Sequence, residues 1–238
     1  MSSVKGVLLL WIGLIVSVLL FGCSLVTTTA SSVADSYFPH EDGYAWEYRC
    51  YFMDGTLETS VLKRTRYFDG TTELSSDLIV QNFMVTDEVS AFGISIFSNI
   101  QMFMVPSIAL QNYLYVADTG VYDYGGHDDP TTEATLIVPL PLEIGKGWER
   151  GRASSFEAVA EEDVVVPAGN YKAMKVFLDE DGLGEAAYYE WYAQDVGMIK
   201  SAMTFSYAPM VIDIDGRAIP STMEVEGSYI EELVRKNF

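Results

Sequence analysis

Apolar and polar residues alternate along most of this chain, with a period of two. Between Tyr44 and Phe52, Trp46, Tyr48, Cys50 and Phe52 fall on one side of an extended backbone, while Glu47 and Arg49 fall on the other. Such spacing predicts a strand with one buried, largely aromatic face. The same period returns in Phe92-Gly93-Ile94-Ser95-Ile96, through Tyr113 to Tyr124, and in Tyr188 to Ala193. In Met198 to Tyr207 it puts Met203, Phe205 and Tyr207 on one face. Turn signals punctuate these runs: Asp54-Gly55, Asp69-Gly70, Pro167-Ala168-Gly169 and Asp195-Val196-Gly197. Glu73 to Glu88 reads as one extended segment, and Met223, Val225 and Tyr229 mark a final strand. Tyr229 to Lys236 is the one stretch whose spacing allows a closing helical turn. The pattern predicts an all-β fold over residues 37–238: one strongly curved antiparallel sheet, or open half-barrel.

One run breaks the pattern. Residues 1–22 open with Lys5, continue apolar from Val7 to Leu20, and end in a small Gly22. They have the charged, apolar and small-residue parts of an export signal, predicted to be helical. A membrane span needs about 20 predominantly apolar residues with suitable flanks, and this run is slightly short. Leu20-Phe21-Gly22-Cys23 resembles the bacterial lipobox, in which the cysteine is lipidated and the chain is cut before it. That resemblance implies an acyl-anchored Cys23, held by several chains at about 0.8 kcal/mol per buried CH2. Residues 23–36 follow as a Ser-, Thr- and Ala-rich tether. Ser24 stands where a retention signal would carry Asp, so the resemblance favours the outer membrane in a two-membrane envelope.

Charge narrows the partners. With 34 acidic and 14 basic residues, the formal charge is −20, which repels phosphate backbones and excludes a nucleic-acid role. The same charge repels anionic lipid head groups, so the membrane partner is met through the Cys23 anchor alone. The only basic density is Lys63, Arg64 and Arg66, read as a solvated strand face that balances nearby carboxylates. Hydrophobic content of 49% is ample for a core. With Cys23 acylated, Cys50 has no partner in the chain, and its place among Trp46, Tyr48 and Phe52 predicts a buried thiol.

Chemistry-bearing patterns are scarce. There is no Gly-x-Ser-x-Gly elbow, and two histidines give little choice of general base. His127 with Asp128 and Asp129 lies in a turn-like run, Gly125 to Pro130, where adjacent residues do not converge on one ion. Asp179-Glu180-Asp181-Gly182 lacks the spacing of a calcium loop. The expectation is therefore a protein without enzymatic activity, cofactor or metal. The most apolar part after the signal, Val89 to Ala117, reads as buried core, or as the lip of a lipid pocket.

Three motifs in sequence carry a second resemblance: Gly145-Lys146-Gly147-Trp148, then Val166-Pro167-Ala168-Gly169-Asn170-Tyr171-Lys172-Ala173, then Trp191-Tyr192-Ala193-Gln194-Asp195-Val196-Gly197. Their order resembles that in uncharacterised bacterial lipoproteins whose domain is similar to the lipoprotein-localisation-factor fold. The resemblance implies a curved antiparallel sheet with a hydrophobic concave face that holds a lipid or other hydrophobic ligand. Trp46, Tyr48, Phe92, Met102, Phe103, Trp191 and Phe205 are the candidates to line that face, each reading equally as a core residue. The alternative is an envelope scaffold lipoprotein with a filled core that meets a partner protein.

Overall fold

The computed structural model describes residues 37–89, 109–150, 154–180, 187–205, 211–214, 217–220 and 227–238. All belong to one compact unit, Ser32–Phe238. The signal, Cys23 and the tether lie outside the described residues, as do Phe92, Met102 and Phe103.

Fourteen strands account for nearly everything described: β1 (Ala45–Asp54), β2 (Leu57–Ser75), β3 (Leu78–Val89), β4 (Ala109–Ala117), β5 (Gly120–Gly126), β6 (Asp129–Pro139), β7 (Gly147–Arg150), β8 (Ser154–Val166), β9 (Gly169–Glu180), β10 (Ala187–Ala193), β11 (Gly197–Phe205), β12 (Val211–Ile214), β13 (Arg217–Pro220) and β14 (Gly227–Lys236). Twelve form a single antiparallel sheet in the order β6-β5-β4-β3-β2-β1-β14-β11-β10-β9-β8-β7, and β12 and β13 form a separate hairpin. The chain winds outward from β1 to one edge, β6, crosses through residues 140–146 to the other edge, β7, and winds back until β14 pairs with β1. The sheet curls without closing into a barrel. Its two edges meet at a seam where Trp148 donates its indole N–H to the Ile137 carbonyl at 2.9 Å, and no ladder joins them.

The period-two runs form strands because their apolar faces meet inside this curl. Tyr48, Phe68, Leu114, Val121, Val138, Val176, Ile199 and Leu233 are all essentially inaccessible to solvent. They belong to one core cluster, each contributing about 1.5–3 kcal/mol by burial. Cys50, Val61 and Leu62 form a smaller one.

Four local expectations change. Asp69-Gly70 does not end a strand: β2 runs through it as a bulge, with Gly70 at φ +70° and its N–H bonded to Asp42 Oδ1 at 2.6 Å. The hairpin turn lies instead at 76–77, so Glu73 to Glu88 spans the end of one strand and most of the next. Tyr113 to Tyr124 likewise contains the β4–β5 turn at 118–119. Tyr229 to Lys236 is strand rather than helical turn, because β1 on one side and β11 on the other take up its backbone groups.

Candidate functional site

Within the curl lies a cavity of about 540 Å³. The residues around it come from both halves of the sheet. Phe83, Leu114, Ile137, Phe156, Leu178 and Met203 give it apolar walls. Arg64, Arg66, Asp123, Arg150, Tyr188, Glu190 and Tyr192 form a polar wall.

The polar wall follows from register. Glu190 on β10, Ser201 on β11 and Glu231 on β14 are direct cross-strand neighbours, and all three are buried. Arg64 and Arg66, two apart on β2, share the inward face with Tyr48 and Phe68. Only Lys63 of the basic trio points outward, pairing with Glu47 at 2.8 Å. The solvated strand face expected there is therefore wrong for two of its three residues. Arg64 Nε and Nη2 donate to Asp87 Oδ1 and Oδ2 at 2.9 and 3.1 Å, and Nη1 donates to Glu231 Oε2 at 3.0 Å. Arg66 Nη2 lies 2.8 Å from Glu231 Oε1, and its guanidinium covers the Tyr48 ring. Burial works against both guanidinium charges, but Glu231 and its neighbours outweigh it and hold both side chains protonated more firmly than usual.

A second cluster approaches the seam. Tyr188, Glu190 and Tyr192 share the inward face of β10 by simple alternation. Both phenols donate to Glu190, at 2.9 Å to Oε1 and 2.7 Å to Oε2. Burial, reinforced by the Glu190 charge, raises both phenol pKa values well above the ordinary range. Arg150 on the edge strand β7 stands 3.9 Å from Glu190 Oε1 and over the Phe156 ring at 5.4 Å. Asp123, reaching in from β5, accepts a hydrogen bond from Gly125 N at 2.8 Å, yet burial pushes its carboxyl above the usual value.

The residues expected to line a concave apolar face are distributed differently. Trp46 and Tyr48 point inward but fill the core, donating to the Val196 and Met198 carbonyls at 2.6 and 2.8 Å. Trp191 faces the opposite side from Glu190 and Tyr192, between Lys175 and Lys200, with its N–H on Glu162 Oε1 at 2.6 Å. None of the three lines the cavity. Phe205 ends β11, and its side chain lies outside the described residues. Cys50 is buried as expected. His127 sits in the β5–β6 turn, its Nδ1 sharing a 2.9 Å hydrogen bond with Tyr113 Oη. The concave face is thus part apolar and part ionic, rather than uniformly hydrophobic.

Sequence reasoning missed Asp123, Arg150, Tyr188, Glu190 and Tyr192. The signal for three of them was present, since Tyr-x-Glu-x-Tyr on one strand places all three on one face.

No protein-family model and no curated protein matches the sequence. Two crystal structures are similar in chain trace. One is described as an exported protein of Bacteroides fragilis with a YmcC-like fold: 15% identity, TM-score 0.47, covering 85% of this chain and 99% of that one. The other is described as a lipoprotein of Parabacteroides distasonis: 13% identity, TM-score 0.41, with the same coverage. Neither is described as a lipoprotein-localisation factor. At TM-scores below 0.5, neither likeness carries residues or activity over to this chain.

Proposed function

We propose that this chain is an exported, lipid-anchored envelope protein that holds a hydrophobic or amphipathic small molecule inside its curled sheet. The observation that carries this reading is the cavity. At about 540 Å³ it has the size of a small-molecule site. Its lining sets an apolar wall against convergent polar and charged groups, and is more polar than most such sites. The anchor reading rests on the sequence, where an export-type signal ends at Cys23 in a lipobox-like run. Ser24 at the following position favours the outer membrane in an envelope that has two. The reading is one of binding, without a chemical step.

The test is native mass spectrometry of the full chain, taken from its own host's membranes. The expected result is a polypeptide that begins at Cys23, carries acyl groups, and bears an added mass that denaturation releases as a small amphiphile. A chain that flies bare, over repeated preparations, overturns the carrier reading in favour of a scaffold that meets a partner protein.

A further inference from the structure

Among the described residues, three guanidinium groups line the cavity, Arg64, Arg66 and Arg150, against two carboxylates, Asp123 and Glu190. Two of the cations are already engaged. Arg64 has both oxygens of Asp87 and one of Glu231, and Arg66 has the other oxygen of Glu231. Arg150 differs. Among the described residues its nearest carboxylate oxygen is 3.9 Å away, beyond hydrogen-bond range, and both oxygens of that Glu190 already accept a phenol hydroxyl. Its side chain keeps 37% of its exposure, on an edge strand at the seam. Behind it the cavity continues over Phe156 and Leu178. A planar fork of donors with a loose counter-ion therefore stands, partly exposed, beside the apolar Phe156 wall.

We infer that the bound molecule is a single-chain amphiphile with an anionic oxygen head, carboxylate or phosphate monoester, whose head pairs with Arg150 at the β6–β7 seam while its tail lies among Phe156, Leu178 and Met203. A guanidinium fork matches either head with two parallel hydrogen bonds. A cationic head at the seam would be repelled by Arg150, and an uncharged one would leave Arg150 facing only Glu190 at 3.9 Å and the nearby charge of Asp123. Asn112 and Ser154, also at the cavity wall, are neutral hydrogen-bonding groups that add no repulsion for an anion. This inference rests on the cavity being the binding site proposed above.

The experiment uses the full chain in nanodiscs of zwitterionic lipid. The probes are 9,10-dibromostearate, whose bromines quench tryptophan, and its methyl ester, with hexadecyl phosphate and hexadecylamine as competitors. Trp148, stacked on Phe156 with ring centroids 5.5 Å apart, places an indole beside the cavity wall. The expected result is saturable quenching by the acid, about ten-fold tighter than by the ester; Arg150→Gln brings the acid to the ester's affinity, and Arg150→Lys restores part of the difference. Displacement of the acid by hexadecyl phosphate alone among the competitors identifies phosphate as the better head; failure of both competitors identifies carboxylate. Circular dichroism of both variants shows that they are folded. Equal binding of acid and ester, or stronger displacement by the amine, overturns the anionic head while leaving a binding cavity. No saturable quenching by any probe overturns the cavity reading itself.

Discussion

Arg64 grips both carboxylate oxygens of Asp87, at 2.9 and 3.1 Å, directly across strands β2 and β3. Both side chains are almost fully removed from water, so neither charge is compensated by solvent. Asp87→Leu should therefore cost about 3–5 kcal/mol, because it leaves a buried guanidinium short of a partner. Replacing both at once, Arg64→Met with Asp87→Leu, should recover part of that loss, the rest remaining because Glu231 Oε2 also loses its Arg64 partner. Urea unfolding of the two variants measures the difference. A double variant no better than the single one would show that the arginine is needed for more than neutralising Asp87.

Cys50 is fully buried, and desolvation pushes its thiol up to about 12. The unfolded thiol ionises near pH 8.5. Between those values the unfolded chain has released a proton that the folded chain keeps, so this group's contribution to stability falls as pH rises. Cys50→Ala should flatten the decline in unfolding free energy between about pH 8.5 and 9.5, below the range where tyrosines add to it. Native protein at pH 8 should also resist iodoacetamide at this position until denaturant is added. Rapid labelling without denaturant would mean that the small Cys50–Val61–Leu62 core opens readily.

Gly125 sits at φ +85°, and a Cβ there would come within 2.6 Å of the Asp129 carbonyl oxygen. Gly126, its neighbour, would meet nothing nearer than 3.5 Å. Gly125→Ala should lower stability by more than about 1–2 kcal/mol, since the left-handed backbone and the clash add. Gly126→Ala should cost well under that. Thermal unfolding of the pair separates them, and equal losses would place the β5–β6 turn in a different conformation.

Trp148→Phe keeps an aromatic ring against Phe156 but removes the hydrogen bond to Ile137. A loss of about 1 kcal/mol is expected. Amide exchange should quicken in β6 and β7 and stay unchanged in β1 and β14, which lie mid-sheet. Uniform acceleration across the sheet would show that the seam is part of one global unfolding unit.

Much of the fold was legible because a half-buried strand writes its period into its own residues. β1, the β8–β9 hairpin with its Pro167-Ala168-Gly169 turn, and the β10–β11 turn at Asp195-Val196-Gly197 all follow from that period and from glycine and proline. Asp69-Gly70 misled because a glycine of positive φ serves a bulge as well as a turn, and only the partner strand decides between them. The polar wall was largely hidden for a related reason. A buried arginine and a solvated one look alike until the residues opposite are known, and Arg64 meets Asp87 and Glu231, which lie far apart in the chain. Arg150 and Asp123 come together only through the curl of the whole sheet, which no local pattern encodes.

The seam has a mechanical consequence. A closed barrel has a fixed circumference, since widening it anywhere breaks a run of ladder bonds. In this sheet β6 and β7 are bridged by the Trp148 indole, and the short connection through 140–146, pinned by buried Leu140 and Leu142, keeps the two lips in step. Parting them breaks no ladder and only one hydrogen bond, about 1 kcal/mol, the further cost being the exposure of the buried Val138, Leu140, Trp148 and Phe156. The girth of the interior is therefore adjustable while every backbone ladder stays intact.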